Sequence, residues 1–160
     1  MTTPEKTGRP ILALAIATAL GVGYIPVASG TWGSAAGLFL LPLTAISTTV
    51  AAITIVALFI AGSWSGTVAE RHFAMTDPGP VVIDEVMGML ATMFMNPLTW
   101  PSVVAGFLLF RIFDIIKPYP ANRLEHLPGG VGVMADDFMA AVYANLALRI
   151  VLVVGTRLLG

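Results

Sequence analysis

Five acidic residues lie inside, or at the edge of, apolar stretches of this sequence, where a carboxylate needs a compensating partner. They are Asp84, Glu85, Asp114, Asp136 and Asp137. A charged side chain at the centre of a bilayer costs roughly 2.5–3.5 kcal/mol on insertion scales. Five carboxylates that converged would also repel one another, so each must hold a proton or meet a cation. The other four acids lie in the N-terminal tail and in polar loops: Glu5, Glu70, Asp77 and Glu125.

Basic partners for the five acids are few. In "FRIFDIIKPYP", Arg111, Asp114 and Lys117 follow at intervals of three, which places them on one helix face, and Pro118 predicts the end of that helix. This segment can neutralise itself as a structural ion-pair ladder, with Lys117 paired to Asp114, but it cannot also neutralise the two acid pairs. Carboxylates in a chain without cysteine suit a hard cation such as Mg²⁺, which keeps waters that a phosphate can replace.

Each acid pair also has a structural interpretation. Acids in the first turn of a helix stabilise it by roughly 0.3–1 kcal/mol through the macrodipole. Adjacent acids on a helix also point about 100° apart, so one pair seldom chelates a cation by itself. Three acidic clusters in one apolar chain nevertheless favour a shared cation site over helix capping.

Two glycine-rich stretches add a second chemical signal. "SGTWGS", Ser29–Ser34, opens the second apolar region, and "PGGVGVM", Pro128–Met134, opens the last helix. Small residues leave amides accessible at a helix N-terminus, which suits a phosphate. Glycines in membrane helices also serve close helix packing, so neither stretch is specific alone.

The composition predicts a protein that meets lipid. Of 160 residues, 57% are hydrophobic and 11% are charged, against about 25% charged in ordinary soluble domains. The net charge of −1 gives no basic field for a nucleic acid, so we expect no such partner. The absence of cysteine excludes disulfides and thiolate chemistry. The length predicts one domain over residues 1–160.

Four apolar regions must position these residues: 10–28, 36–62, 81–113 and 138–159. The second is long enough to cross a hydrocarbon core, which needs about 20 residues. Asn96-Pro97 and Trp100-Pro101 divide the third into two shorter helices. Nothing alternates like a barrel strand, so we predict an all-α fold.

The basic residues predict the side of the membrane. Most of them lie in the N-terminal tail or in two polar loops, 63–80 and 117–135: Lys6, Arg9, Arg71, Lys117 and Arg123. The positive-inside tendency makes all three segments cytoplasmic. This gives four full crossings and a final helix, unless the two short helices of 81–113 are buried or only partly inserted.

The first apolar region carries two further expectations. It ends in "VAS" before Gly30, which has the look of a signal-peptidase site, but we expect retention because the next residues carry a motif. The simple crossing count places "SGTWGS" on the far side from the acids. If it binds phosphate, the first region must be re-entrant or buried, and we favour that arrangement.

Four stretches together resemble the phosphatidylglycerophosphatase A family, in its order and spacing. They are "GTWGSAAG" (30–37), "DPGPVVIDEVMGM" (77–89), "GFLLFRIFDIIKPYP" (106–120) and "GGVGVMADDFMA" (129–140). The likeness extends over nearly the whole chain between 20 and 145. The family often has proline where Ser29 stands here, for which we expect a small effect on loop rigidity and none on chemistry.

The resemblance implies a multi-helix integral membrane bundle of about six helices around a central one. It also implies a Mg²⁺-dependent phosphatase of the bacterial inner membrane, with its active site facing the cytoplasm. The substrate would be phosphatidylglycerophosphate in the bilayer, and the product phosphatidylglycerol. The family's acidic positions fall on Asp77, Asp84, Glu85, Asp114, Asp136 and Asp137, and its basic ones on Arg111 and Lys117.

These positions suggest roles in hydrolysis. We expect one or two Mg²⁺ to be held by members of this set: Asp84, Glu85, Asp114, Asp136 and Asp137. We expect the phosphate to be bound by Arg111 and Lys117, together with Gly30, Thr31, Gly33 and Ser34. Glu85 or Asp137 would accept a proton from water. An aspartyl-phosphate intermediate ranks second.

Two other functions fit parts of the pattern. A small ion- or proton-coupled transporter also uses intramembrane acids, but it predicts acids distributed through the membrane depth. A non-catalytic membrane subunit would not need three acid clusters. The membrane lipids are the expected surroundings in each case, and the oligomeric state stays open.

Overall fold

The computed structural model describes residues 10–159, with side chains described to residue 157, and this part of the chain is helical without a strand. Its helices are α1 (Ile11–Ala17), α2 (Ser29–Leu38), α3 (Leu41–Ile46), α4 (Thr48–Phe73), α5 (Ile83–Met93), α6 (Trp100–Ile116), α7 (Ala121–Leu124) and α8 (Gly130–Leu159). A 3₁₀ turn, Val22–Tyr24, follows α1. The all-α prediction is confirmed.

The central helix is α5. All its residues except Glu85 are buried, and α2, α4, α6 and α8 pack around it. Gly88 admits the ring of Phe110 from α6, since a Cβ there would lie 2.5 Å from a ring carbon. On another side, Met87 and Leu90 join a core with Met134 of α8. This arrangement confirms the predicted bundle around one central helix.

Small residues bring α4 and α8 together as antiparallel neighbours. Gly62 of α4 faces Met134, and a Cβ on Gly66 would lie 3.0 Å from the Cα of Gly130. Ser65 and Ala69 are also buried, so the polar-looking stretch after residue 62 belongs to a packed helix face. The predicted loop 63–80 is therefore wrong as far as Phe73. Close backbone packing by small residues explains the difference.

Two helices of the described residues are long and apolar enough to cross a membrane: α4, and α8 over Gly130–Arg157. Only 28% and 22% of their most apolar windows are buried inside the protein. Large apolar side chains such as Ile53, Ile60 and Ile150 are instead exposed. With the apolar composition, these surfaces indicate a membrane protein.

The simple count of four crossings and a final helix exceeds the two helices of the described residues that are long and apolar enough to cross. The first apolar region forms only the seven residues of α1 before the chain turns, far short of the roughly 20 that a crossing needs. The second region breaks into α2, α3 and the start of α4. Pro42 lies in the first turn of α3, and Ser47 caps α4 by accepting from the Val50 amide at 3.1 Å. The division of 81–113 into α5 and α6 is confirmed.

The last helix begins at Gly130, within the glycine-rich stretch Pro128–Met134 that we expected to open it and ahead of the apolar region 138–159. Asp136 and Asp137 therefore lie in the second turn of α8, with no acid in its first turn. Because the dipole effect fades within one turn, helix capping does not explain this pair. Asp84 and Glu85 do lie in the first turn of α5. The basic residues Lys6 and Arg9 fall outside the described part of the chain.

A half-buried amide ties the C-terminal end of α5 to α8. Asn145 Nδ2 donates to the carbonyls of Thr92 and Phe94 at 2.8 Å and of Ala91 at 3.3 Å. The carbonyls at this helix end have few intrahelical partners, and the Phe94 amide, Asn96 Nδ2 and Arg149 Nη2 donate to them as well. Asp137 lies eight residues before Asn145 on α8, and Asp84 lies seven before Ala91 on α5. At about 1.5 Å per residue, these two helical segments have nearly the same length. The Asn145 amide therefore fixes the position of Asp84 along the bundle relative to Asp137.

Replacing Asn145 with leucine should lower both stability and turnover. It removes the amide group at similar side-chain size, and each hydrogen bond lost costs roughly 0.5–1.5 kcal/mol. The matched control is Leu148→Ala, which opens a cavity one turn further along the same helix and costs roughly 2–5 kcal/mol. At a temperature where both variants are folded, kcat should fall much further for Asn145→Leu. Equal kcat values would show that the amide only stabilises the fold.

Candidate active site

Three carboxylates converge where the start of α5 meets α8. Asp84, Glu85 and Asp137 each place an oxygen within 4.8 Å of the others. Asp84 and Asp137 are only 7% and 2% exposed. Among the described residues, no hydrogen-bond partner meets Asp84 Oδ1, Glu85 Oε2 or Asp137 Oδ2. Unpaired buried carboxylate oxygens at one point suit a hard divalent cation, so the donor set fits Mg²⁺. We refer to these three residues as the acid triad.

The electrostatics of the acid triad also favour a bound cation. Burial, reinforced by the neighbouring Glu85 carboxylate, raises the pKa of Asp84 well above its ordinary value. Burial also raises the pKa of Glu85 to about 8. A positive charge placed among these groups favours their charged forms and offsets their mutual repulsion.

One wall of the site comes from α6. Arg111 Nη1 lies 2.6 Å from Asp114 Oδ2 and 3.8 Å from Glu85 Oε1. The predicted shared face of Arg111 and Asp114 is therefore confirmed. Arg111 Nε and Nη1 are buried without an aligned hydrogen bond in the described structure, so the Asp114 contact is an ion pair only. The guanidinium keeps donors for a further anion next to the acid triad.

Lys117 ends α6 in a left-handed backbone conformation, with φ of 45°, directly before Pro118. The predicted helix end is confirmed, whereas the alternative of a structural pair with Asp114 is not the arrangement found. Lys117 Nζ donates to Asp136 Oδ2 at 2.5 Å and to Glu125 Oε2 at 3.2 Å. Burial alone would lower the pKa of Lys117, but these carboxylates outweigh it and raise the pKa. The lysine is therefore held charged between α7 and α8.

The five predicted cation ligands thus separate into two groups. The acid triad converges, whereas Asp114 and Asp136 are paired with Arg111 and Lys117. Asp136 Oδ1 also accepts from the Asp137 amide at 2.9 Å, so its carboxylate supports the triad from the next position. Asp77 is exposed at the edge of this site, where the charges of Lys117 and Asp114 act on its carboxylate.

The glycine-rich segment Ser29–Ser34 is the first part of α2 rather than a loop. A Cβ on Gly30 would touch the Glu85 carboxylate and lie 2.9 Å from Arg111 Nη1. Gly33 approaches Val82 in the same way, while Thr31 is half-buried. Ser34 is buried, with its hydroxyl donating to the Gly30 carbonyl at 2.9 Å. The segment lies beside the acids, which is the arrangement that we favoured.

Sequence reasoning missed two residues of this region. Glu125 was assigned to the solvated loop acids, which is wrong because it contacts Lys117. Asn145 carried no prediction, although an amide in the apolar run "MAAVYANLALRIVLVV" is itself a signal of a buried hydrogen bond.

An apolar helical bundle that holds buried carboxylates beside an arginine and a lysine has the form of a membrane phosphatase. The family model for phosphatidylglycerophosphatase A matches residues 15–152. The chain belongs to the phosphatidylglycerophosphatase A family, as its motifs suggested. The prediction of an enzyme, a phosphoric monoester hydrolase, is thereby confirmed.

Curated relatives carry two names. A putative phosphatidylinositol-3-phosphatase of Bacteroides thetaiotaomicron is 38% identical, covering 87% of this chain and 92% of the relative. A phosphatidylglycerophosphatase A of Haemophilus influenzae is 36% identical, covering 83% and 84%. Its counterpart in Escherichia coli is 32% identical, covering 79% and 76%. No solved structure matches the chain significantly.

Proposed function

We propose that the protein hydrolyses the terminal phosphomonoester of phosphatidylglycerophosphate, giving phosphatidylglycerol, with Mg²⁺ as its cation. The observation that carries this proposal is the acid triad, whose unpaired oxygens face each other next to Arg111. The names of the Haemophilus influenzae and Escherichia coli relatives support the substrate.

We place the site at the cytoplasmic face of the bacterial inner membrane. Arg71 at the end of α4, Lys117 after α6 and Arg123 in α7 lie at the same end of the bundle as the acid triad. This excess of positive residues favours the cytoplasmic side. The bundle as a whole, residues 1–160, acts in this proposal as one domain.

Asp84, Glu85 and Asp137 would hold the cation. When bound, Mg²⁺ supplies a Lewis acid for the phosphoryl oxygens and lowers the pKa of water. Asp114 orients Arg111, and Asp136 orients Lys117, through the ion pairs described above. The two basic side chains bind the phosphate and offset the negative charge of the transition state.

Glu85 is the proposed proton acceptor. It is the member of the acid triad next to Arg111, with Oε1 3.8 Å from Arg111 Nη1, so a water beside an Arg111-bound phosphate is within its reach. The water oxygen attacks phosphorus, and Glu85 takes the water proton. The bond from phosphorus to the glycerol oxygen breaks, and the proton that Glu85 accepted passes to that oxygen, which completes the alcohol and returns Glu85 to its charged form. Attack by an acid-triad carboxylate is the second possibility in this scheme.

The lipid tails stay in contact with the bilayer. An apolar groove of about 280 Å³ runs between α4 and α8, the two helices suited to crossing. Ile55, Val56, Phe138 and Leu146 are among its lining residues. Such a surface supports a substrate whose phosphate is buried among acids while its tails remain in lipid.

Removing divalent cations should abolish phosphate release from phosphatidylglycerophosphate by the purified protein. EDTA strips the cation that offsets the charge of the acid triad, and added Mg²⁺ should restore the rate, with Mn²⁺ as a possible substitute. The measurement is inorganic phosphate released from substrate in mixed micelles. Full turnover after exhaustive chelation would remove the cation from the mechanism.

Phosphatidylinositol 3-phosphate is the second candidate substrate, because the Bacteroides thetaiotaomicron relative is named for it. The same assay with both lipids at equal surface concentration distinguishes them by kcat/KM. The transporter alternative is not favoured. The acids gather at one end of the bundle instead of following a path across it.

A further inference from the structure

An open pocket of about 260 Å³ is lined by the chain segments that lead into α2 and α5, and it has no part in the roles proposed above. Its lining comes from two segments of chain: Gly23, Tyr24, Ile25, Pro26 and Ser29 before α2, and Gly79 and Pro80 before α5. We call it the headgroup pocket. The two segments touch at one side, where a Cβ on Gly23 would lie 2.7 Å from the carbonyl carbon of Pro80.

Chain continuity links the headgroup pocket to the phosphate-binding groups. Ser29 in its wall directly precedes Gly30, which contacts Glu85 and the guanidinium of Arg111. On the other wall, Pro80 leads through Val82 into the first turn of α5. The pocket, Arg111 and the acid triad therefore follow one another along one side of the bundle.

The groups around the headgroup pocket suit a small polyol. The hydroxyls of Tyr24 and Ser29 belong to lining residues. The amides of Ser29 and Gly30 open α2, and no backbone carbonyl of the described residues accepts from them. The volume corresponds to roughly nine waters at about 30 Å³ each. This is space for a three-carbon polyol, but it falls below the usual range for larger ligands, about 300–1,000 Å³.

We propose that the headgroup pocket binds the glycerol of the substrate while Arg111 and the acid triad hold its terminal phosphate. This inference rests on the proposed function. In phosphatidylglycerophosphate the glycerol oxygen is bonded directly to the phosphorus that is attacked. The glycerol must therefore lie one bond away from the Arg111-bound phosphate, and the headgroup pocket lies on the chain segments that border Arg111. The pocket then selects the alcohol part of the substrate.

Gly79 provides the test. A Cβ at this position meets no atom within 4 Å, and its φ is not left-handed, so the backbone accepts a larger side chain at the pocket wall. Gly79→Leu adds bulk, while Gly79→Ala is the matched control. Both share the backbone restriction that Pro80 places on any preceding residue with a Cβ. Their difference therefore reports the effect of added bulk at the wall of the headgroup pocket.

We expect Gly79→Leu to raise KM for phosphatidylglycerophosphate roughly tenfold or more relative to Gly79→Ala, with kcat little changed. The inhibition constant of sn-glycerol 3-phosphate should rise similarly. That of inorganic phosphate should stay at the wild-type value, because phosphate alone needs only Arg111 and the acid triad.

Equal KM values for Gly79→Leu and Gly79→Ala would overturn the inference, as would an equal loss of inhibition by inorganic phosphate. Either result with an active wild-type protein leaves the proposed function intact. A wild-type protein that releases no phosphate from phosphatidylglycerophosphate overturns the proposed function and the inference together.

Discussion

Replacing Asp137 with asparagine should lower kcat for phosphatidylglycerophosphate by about three orders of magnitude or more. The change keeps the shape of the side chain and removes one charge of the acid triad. Losing roughly 4 kcal/mol of transition-state stabilisation corresponds to this factor. The rate is measured as phosphate release at saturating Mg²⁺. Glu70→Gln, an acid-to-amide change in α4 outside the triad, should retain the wild-type rate.

The stability of the same variant separates the two interpretations of Asp137. Its Oδ2 is buried without a hydrogen-bond partner among the described residues, and it faces two other carboxylates. Asp137→Asn should therefore leave the melting temperature in EDTA unchanged or higher, because it relieves repulsion. The additional stabilisation by Mg²⁺ should be lost. Wild-type kcat, or a large fall in melting temperature in EDTA, would show that the carboxylate serves the fold instead.

Replacing Lys117 with methionine should lower kcat/KM by about 100-fold or more, because the phosphate loses a charged donor. The lysine is held charged beside Asp136 and Glu125, so its loss also leaves the Asp136 carboxylate buried without its cation. An unpaired buried charge destabilises a protein strongly. A fall in stability is therefore expected as well, and the single variant cannot separate the two effects.

The double variant Lys117→Met with Asp136→Asn separates them. Removing both charges should restore the melting temperature, while kcat/KM should stay low if Lys117 binds phosphate. Recovery of kcat/KM along with stability would assign the lysine a structural role. Lys117→Arg keeps the charge with a different donor geometry and should recover only part of the rate. Glu125→Gln keeps a hydrogen-bond acceptor for Lys117 and should change kcat/KM little.

The site was predictable from sequence where local spacing decides the geometry. Arg111 and Asp114 share a face because they lie three residues apart on one helix, and Pro118 fixes where that helix ends. The pairing of Lys117 was not predictable in this way. A left-handed residue at the end of α6 turns the side chain toward α8, and only the tertiary fold sets that direction.

The fold followed the sequence less closely where hydrophobicity alone marked the helix ends. Residues 63–73 look like a polar loop, yet Ser65, Gly66 and Ala69 are small enough to let α4 pack against its neighbours. The stretch 36–62 looks like one crossing, yet Pro42 and the Ser47 cap divide it. Hydrophobicity reports the preferred surroundings of a segment, whereas small residues and caps decide where its helix begins and ends.

The short central helix has a consequence for how the enzyme is made. At about 1.5 Å per residue, the 11 residues of α5 extend only about 16 Å, too short to be inserted into a bilayer as a separate span. Its surroundings include α8, which follows α5 by more than 35 residues in the chain and supplies Asp137. The acid triad therefore assembles only after α8 has been synthesised and has packed against α5.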